Sequence, residues 1–598
     1  GLVNITGVLN NAGQTLDIGS GGVFGPGGLN NISGTILGGT LISGDGTELN
    51  SINGFLDGVT IGSNLTFTNS SGSYIKNNLL LNPGIIVNLG AHDLRFNTTG
   101  AQQLATTSGS ATINATGGIV YAGWGVTGQT LNIGSGITLQ GYGGVNQSST
   151  ASVNNAGTLV ANTTGQTFNI SPATLTNTGT LRVLSGAIMT MAGGTTWTSA
   201  GSGIDVQSGG TFNLNGVYTI SGGLPIVSGA TVNLHSGITN AQFSNLLFQG
   251  GTAVLNSTLT NTALTLTLAG SGGNLRLGSG RINGGTVATS GGVTLSSTGG
   301  TLDGVTLATD MTVENNGTLT VLNGLTFSGG KKINLTSNAG YAYLYVNGTG
   351  AQTIGGTGSI EFAGTGNQHY VTYSSGAPTL TLGPGVTVNA LAGGGFWDNG
   401  LAWTLNGAFN VNAPSAMVTT NVANITRAGG STVNVLAGTL RLNGADGDAD
   451  YNGAWAISSG ATLNLNHGVA RTLGTGFLAT GSGRISNQSA TLNINGMGPT
   501  MAGFAQAGGG TINFDSAVDI GTLDVSNTVN INAAVSSSGL NFASGTLAGA
   551  GNLTLSGAST WSGGTMSGTG NTIVSSGASL DISGSATKVL NQRTLVNN

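Results

Sequence analysis

"TLDGVTLATDMTV" occupies residues 301–313, and "FLDGVTIGSNLTF" occupies residues 55–67, 246 positions earlier. Both place apolar residues at alternate positions around an Asp-Gly pair, the period-2 pattern of a strand with one buried face. Leu302, Val305 and Leu307 are the expected core, Asp303-Gly304 the bend and Thr306 an outward position. A phrase this plain, used twice, reads as a structural unit that has only to match what lies above and below it.

The same grammar runs along the chain as "QTLNIGSG" (129–136), "GTFNLNG" (210–216), "ATVNLHSG" (230–237), "STVNVLAG" (431–438), "ATLNLNHG" (461–468) and "GTINFDS" (510–516). In the first of these Leu131 and Ile133 point inward, Thr130 and Asn132 outward. Thr211 and Thr231 stand 20 residues apart, as do Thr491 and Thr511. Thr432, Thr462 and Thr491 are spaced by 30 and 29, as if one and a half units intervened. Self-similarity at this period marks a stacked-coil solenoid rather than a set of globules. The sequence therefore predicts an all-β fold, a parallel β-helix (β-solenoid) with about 20 residues per turn. With rungs about 4.8 Å apart, some thirty turns make an elongated rod on the order of 140 Å long. Asn-Gly and Asp-Gly pairs supply the bends. The many Asn side chains suit amide ladders between stacked rungs.

Composition narrows the function. Charged residues are 5% of the 598, against roughly 25% in ordinary domains, while 38% hydrophobic content is too much for a disordered tract. With 111 glycines and few Glu, Lys or Gln, helices are disfavoured. The absence of cysteine excludes disulfides, thiol nucleophiles and Cys-based zinc sites. Only Lys331 and Lys332 are adjacent among 13 basic residues, so no nucleic-acid partner is expected. No apolar run is long enough for a transmembrane helix. The first and last stretches, "GLVNITGVLNNAG" and "KVLNQRTLVNN", share the texture of the middle. The reading is a segment of a longer polypeptide, with export signals and anchors elsewhere.

The repeat extends beyond one phrase. "NTTGAQQL" (97–104) matches "NGTGAQTI" (347–354) at offset 250, and "TLNIGSGITL" (130–139) matches "TLTLGPGVTV" (379–388) at offset 249. The drift in offset belongs to insertions in the bends. Superblocks are placed at 1–245 and 246–510, with further rungs over 511–598. No charged, Pro-rich linker separates them, so one continuous solenoid is expected.

"LSGASTWSGGTMSGTGNTIVSSGASLDISG" (555–584) and "GGTLDGVTLATDMTVENNGTLTVLNGLTF" (299–327) resemble the repeats of bacterial surface adhesins, the autotransporter passengers and filamentous-haemagglutinin-like exoproteins. The resemblance implies a right-handed β-helix, extracellular, on a bacterial cell surface or in a secreted fibre.

Candidate sites follow from departures from the repeat. "YAYLYVNG" (341–348) puts Tyr341, Tyr343 and Tyr345 on one strand face. At offset 250 they correspond to Ala91, Asp93 and Arg95; the last two are poor core residues, so this face is read as outward. The three tyrosines and Trp397 are the candidate residues for adhesion or lateral packing. Phe396, Trp397 and Trp403 in "GGGFWDNGLAW" are read as a protruding loop. Asp446, Asp448 and Asp450 resemble the start of a calcium loop, but Tyr451 and Ile457 stand where Gly and Glu are required, and no metal site is assigned. Asp57 and Asp303 are read as Asx-type turn residues. The pairs Asp515/Asp519 and Asp519/Asp524 lack basic partners nearby in sequence, and His92, His235, His369 and His467 share no motif. The expectation is a non-enzymatic structural and adhesive protein without a cofactor, whose partners are other copies of itself and surface glycans. The alternative is a carbohydrate-active β-helix enzyme, a polysaccharide lyase or glycosidase.

Overall fold

The structure, a computed structural model, describes residues 2–396, 401–420, 425–443, 453–466, 468–496, 503–506 and 510–598. It is 61% strand and 2% helix, with parallel strands stacked as a β-solenoid of about 26 turns of about 22 residues each. The 20-residue spacing is genuine for some rungs, where Thr211 pairs with Thr231 and Thr491 with Thr511, and shorter rungs occur, as where Thr511 pairs with Thr528. Other rungs are longer, as where Ala351 pairs with Thr379, because bends absorb extra residues while strands stay in register. The 30-residue spacing also resolves. Thr432 pairs with Ala454 and Thr439 with Thr462, so Thr432 to Thr462 is one full turn plus a step to the next strand.

The chain forms two compact units. The first comprises residues 1–260, 266–281 and 289–294, the second 261–265, 282–288 and 295–598. In the first, register places Ile113, Leu139, Leu159, Leu181 and Ile204 above one another, all buried. Leu175, Trp197 and Tyr218 form a second inward column, where the Trp197 Nε1–H donates to the Asn215 carbonyl at 3.0 Å. In the second unit Val305, Leu325, Ile354, Leu382 and Leu405 stack in the same way. Leu302, Val305 and Leu307 are core as expected. Asp303-Gly304 is not a free turn, however. It is a bulge within the strand Gly300–Leu307.

The two copies agree in atomic detail. Thr40 pairs with Thr60 as Thr286 pairs with Thr306, and Thr66 with Asn88 as Thr312 with Asn334. Gln102 Oε1 accepts the Asn78 N–H at 3.1 Å, and Gln352 Oε1 accepts the Gly324 N–H at 3.0 Å. Gly39 and Gly285 have φ of +71° and +70°. In each, a Cβ would stand 2.0 Å from a carbonyl oxygen, that of Asn11 or Asn261, so neither position admits a side chain. The Asx-turn reading of Asp57 and Asp303 is corrected in the same way in both copies. Each carboxylate accepts from an amide one rung on, Asn77 or Asn323, at 2.6 Å. The reason is geometric: parallel stacking brings that amide alongside the bulge.

Amide ladders are present. The Asn114 amide donates to Asn88 Oδ1, and Gln140 to Asn114 Oδ1, both at 2.8 Å. Asn410 donates to Asn389 at 2.9 Å and Asn434 to Asn410 at 2.7 Å. One ladder is interior. Buried Asn155 donates to Asn177 at 2.7 Å, and Asn177 to the Ser199 hydroxyl at 3.0 Å. Replacing Asn177 by Ala removes an acceptor of the buried Asn155 amide and a donor to the Ser199 hydroxyl, leaving each with only its neighbouring carbonyl, Gly157 or Ala200, at an expected cost of about 1–3 kcal/mol. Asn154→Ala, in the exposed pair with Asn132, is expected to cost less than about 0.5 kcal/mol. Urea unfolding of the two variants measures the difference, and equal losses would refute the interior role of the ladder.

Candidate functional site

The strand Ala342–Val346 lies between the strands Gly317–Thr336 and His369–Thr372 of the adjacent rungs. Ala342, Leu344 and Val346 are fully buried, so the opposite parity sends Tyr341, Tyr343 and Tyr345 outward, as the duplicate implied. Tyr343 and Tyr345 stack at 5.4 Å and 6°, and Tyr341 sits 5.1 Å from Tyr343. Tyr370 joins them, its ring 5.1 Å from Tyr343. The sequence reading missed Tyr370 because its neighbourhood depends on the length of the intervening bends, which place it directly beside Tyr343. Burial raises the phenol pKa values of Tyr343, Tyr345 and Tyr370. Around Tyr343 the phenols of Tyr370, Tyr345 and Tyr341 add to the shift. Tyr341 is the most open, at 38%. The result is an uncharged platform of four rings whose edges bear hydroxyls, suited to stacking on flat, hydrogen-bonding partners.

Trp397 lies outside the described residues, as do Asp446, Asp448, Asp450 and His467. The protruding-loop reading around Trp397 fails at its flanks. Phe396 and Trp403 are buried core residues stacked at 4.2 Å and 10°, with Phe409 edge-on to both. Glycine-rich flanks suggested a loop; instead Gly394–Phe396 and Ala402–Leu405 are regular strands whose aromatics take inward positions.

The carboxylates singled out in the sequence do not converge. Asp519 is exposed, and Asp515 accepts from the Asn532 amide at 2.7 Å. Asp524, which has no basic partner nearby in sequence, pairs with Arg484 at 2.5 Å. The partner arrives from 40 residues upstream because stacking, not sequence proximity, makes neighbours. Among the described residues no group of three His, Asp or Glu side chains is placed to hold a metal ion.

One further constellation has the residue types of an activated nucleophile. His92 Nδ1–H donates to Asn69 Oδ1 at 3.0 Å, and the Ser73 hydroxyl lies 3.0 Å from His92 Nε2. Ser73 also meets the Ser51 hydroxyl at 2.8 Å, and Phe67 stacks on the imidazole at 4.3 Å. Ser51, Ser73 and His92 are all fully buried. No substrate reaches the serine, and the network serves to satisfy polar groups inside the coil.

Compared with known proteins, the chain matches no family model, no curated protein and no solved structure. The site therefore stands on its own geometry, which makes two predictions. Burial, with a smaller contribution from the Arg95 charge, lowers the His92 pKa from 6.5 to about 4. The unfolded chain then binds the proton more readily, so stability is complete above pH 6.5 and falls as pH drops toward 4. Between pH 7 and 4.5 the expected loss is about 2–3 kcal/mol, and His92→Asn flattens it in thermal melts; an unchanged pH profile in that variant would refute the assignment. Absorbance titration is expected to show a late-ionising tyrosine class that includes Tyr121 and Tyr218, also raised by burial, and that shrinks by three phenols when Tyr343, Tyr345 and Tyr370 are replaced by Phe.

Proposed function

We propose that this chain is the extracellular body of a bacterial structural and adhesive protein, a β-solenoid used as a stalk, fibre or surface filament. The observation that carries the reading is the outward face. It is rich in Thr, Ser and Asn side chains that pair across rungs, and in the second unit it carries an uncharged four-tyrosine cluster. A chain with only 5% charged residues offers little electrostatic resistance to the approach of like copies. The tyrosines give such a surface a place to grip a glycan or a neighbouring filament. No described helix is long and apolar enough to cross a membrane.

The rival reading, a carbohydrate-active enzyme, requires two carboxylates facing each other across a groove. One described groove is lined by Gly460, Thr462, Ser482, Arg484 and Ser538 among others, a second by Gly364, Leu391, Pro414 and Met417, and a third by Val305, Asn323, Leu325 and Gln352. Small and uncharged side chains dominate all three, with Arg484 the one charged group, which supports the structural reading.

Replacing Tyr341, Tyr343, Tyr345 and Tyr370 together by Ser is expected to reduce adhesion to glycan-coated surfaces, or lateral bundling seen by electron microscopy, by about tenfold or more. That is the scale of losing several ring contacts worth about 0.5–1.5 kcal/mol each. Adhesion and bundling both at parental levels would overturn the role given to the cluster.

A further inference from the structure

The face that carries tyrosines in the second unit carries a different aromatic set in the first. Parallel register makes Phe55, Tyr74, Arg95 and Tyr121 outward neighbours on successive rungs. Phe55 and Tyr74 stack at 4.7 Å and 22°, with the Lys76 ammonium 4.7 Å over the Phe55 ring. The Arg95 guanidinium lies 4.3 Å from the Trp124 ring, and Trp124 meets Tyr121 edge-on at 4.7 Å. Arg95 is fixed by Asp93 at 2.9 Å and by Asn53 Oδ1 at 3.1 Å. It is seated against Gly72, where a Cβ would come within 2.4 Å of its Nε. Rings and cations thus follow one another along a single strip, each half-buried.

The fold does not require this strip. The corresponding positions of the second copy are Thr301, Thr320, Tyr345 and Thr372, joined by the same register. Three of the four positions therefore accept Thr without loss of the rung, and the aromatics of the first copy answer to something other than folding. Charge indicates what. Arg95 is neutralised by Asp93, and Lys76 is the register partner of Asp57, so the strip has two cations, two anions and no net charge. Rungs about 4.8 Å apart place one ring or guanidinium group per step, a spacing comparable to one pyranose ring. The exposed amides of Asn53 and Asn77 border the strip with hydrogen-bonding groups for hydroxyls.

We propose that Phe55, Tyr74, Tyr121 and Trp124 form a binding strip for an uncharged polysaccharide chain, laid along the stacking direction of the first unit. The site extends the adhesive reading without depending on the tyrosine cluster. The test uses the full chain with Phe55, Tyr74 and Tyr121 all replaced by Thr, the residue that the second copy holds in the same register. Calorimetric titration compares cellohexaose, mannohexaose and chitohexaose with hexagalacturonate. The parent is expected to bind at least one uncharged hexaose more tightly than hexagalacturonate. The triple variant is expected to lose that binding at least tenfold while its melting curve is unchanged. Binding equal in parent and triple variant, no binding to any uncharged hexaose, or preference for hexagalacturonate would each overturn the proposal. So would a triple variant that loses only self-association in sedimentation. The serine variant of the tyrosine cluster, run alongside, keeps the two readings separable: lost adhesion with retained hexaose binding refers to the cluster alone.

Discussion

Every rung of this protein must satisfy its backbone N–H and C=O groups on the rungs before and after it, in parallel register. Once that pairing is imposed, each side chain lies directly against its counterpart one rung away, and the composition follows. Stacked leucines and isoleucines build the interior. Stacked asparagines are tolerated because an amide both donates and accepts. Stacked like charges repel at this spacing, which accounts for the scarcity of charged residues. Several of the charges that do occur come as opposite partners across rungs. Arg182 and Asp205 are register partners bonded at 2.8 Å, Lys332 reaches Glu361 at 3.3 Å, and Arg484 meets Asp524.

The same constraint separates what can vary from what cannot. Strands must keep register; bends need only return the chain to the next rung. Insertions therefore collect in bends, and the two copies preserve pairings such as Thr66–Asn88 and Thr312–Asn334 although their offset drifts along the chain. Glycines at φ near +70°, such as Gly39 and Gly285, are fixed for a different reason. A carbonyl of the preceding rung occupies the space that a side chain would need.

This explains which features were legible in the sequence. Inward and outward parity is local, so Leu302, Val305 and Leu307 were readable from alternation, and the outward face of Tyr343 and Tyr345 from Asp93 and Arg95 in the duplicate. Neighbours across rungs are not local, because they depend on summed bend lengths. Tyr370 beside Tyr343, Arg484 beside Asp524, and the run Phe55–Tyr74–Arg95–Tyr121 all belong to that class. Phe396 and Trp403 misled for another reason. Glycine beside them resembles loop chemistry, whereas in a coil this rich in glycine it carries little information about where strands end.

The register shared by Arg95 and Tyr345, and by Tyr74 and Thr320, has a practical consequence. A position that holds threonine, tyrosine or arginine on an unchanged backbone behaves as an addressable socket. Within one unit such sockets recur at a fixed interval set by hydrogen bonding, so chemical groups installed there are spaced by the backbone itself. The chain is thereby a molecular ruler on which recognition elements can be exchanged without recalibrating the scale.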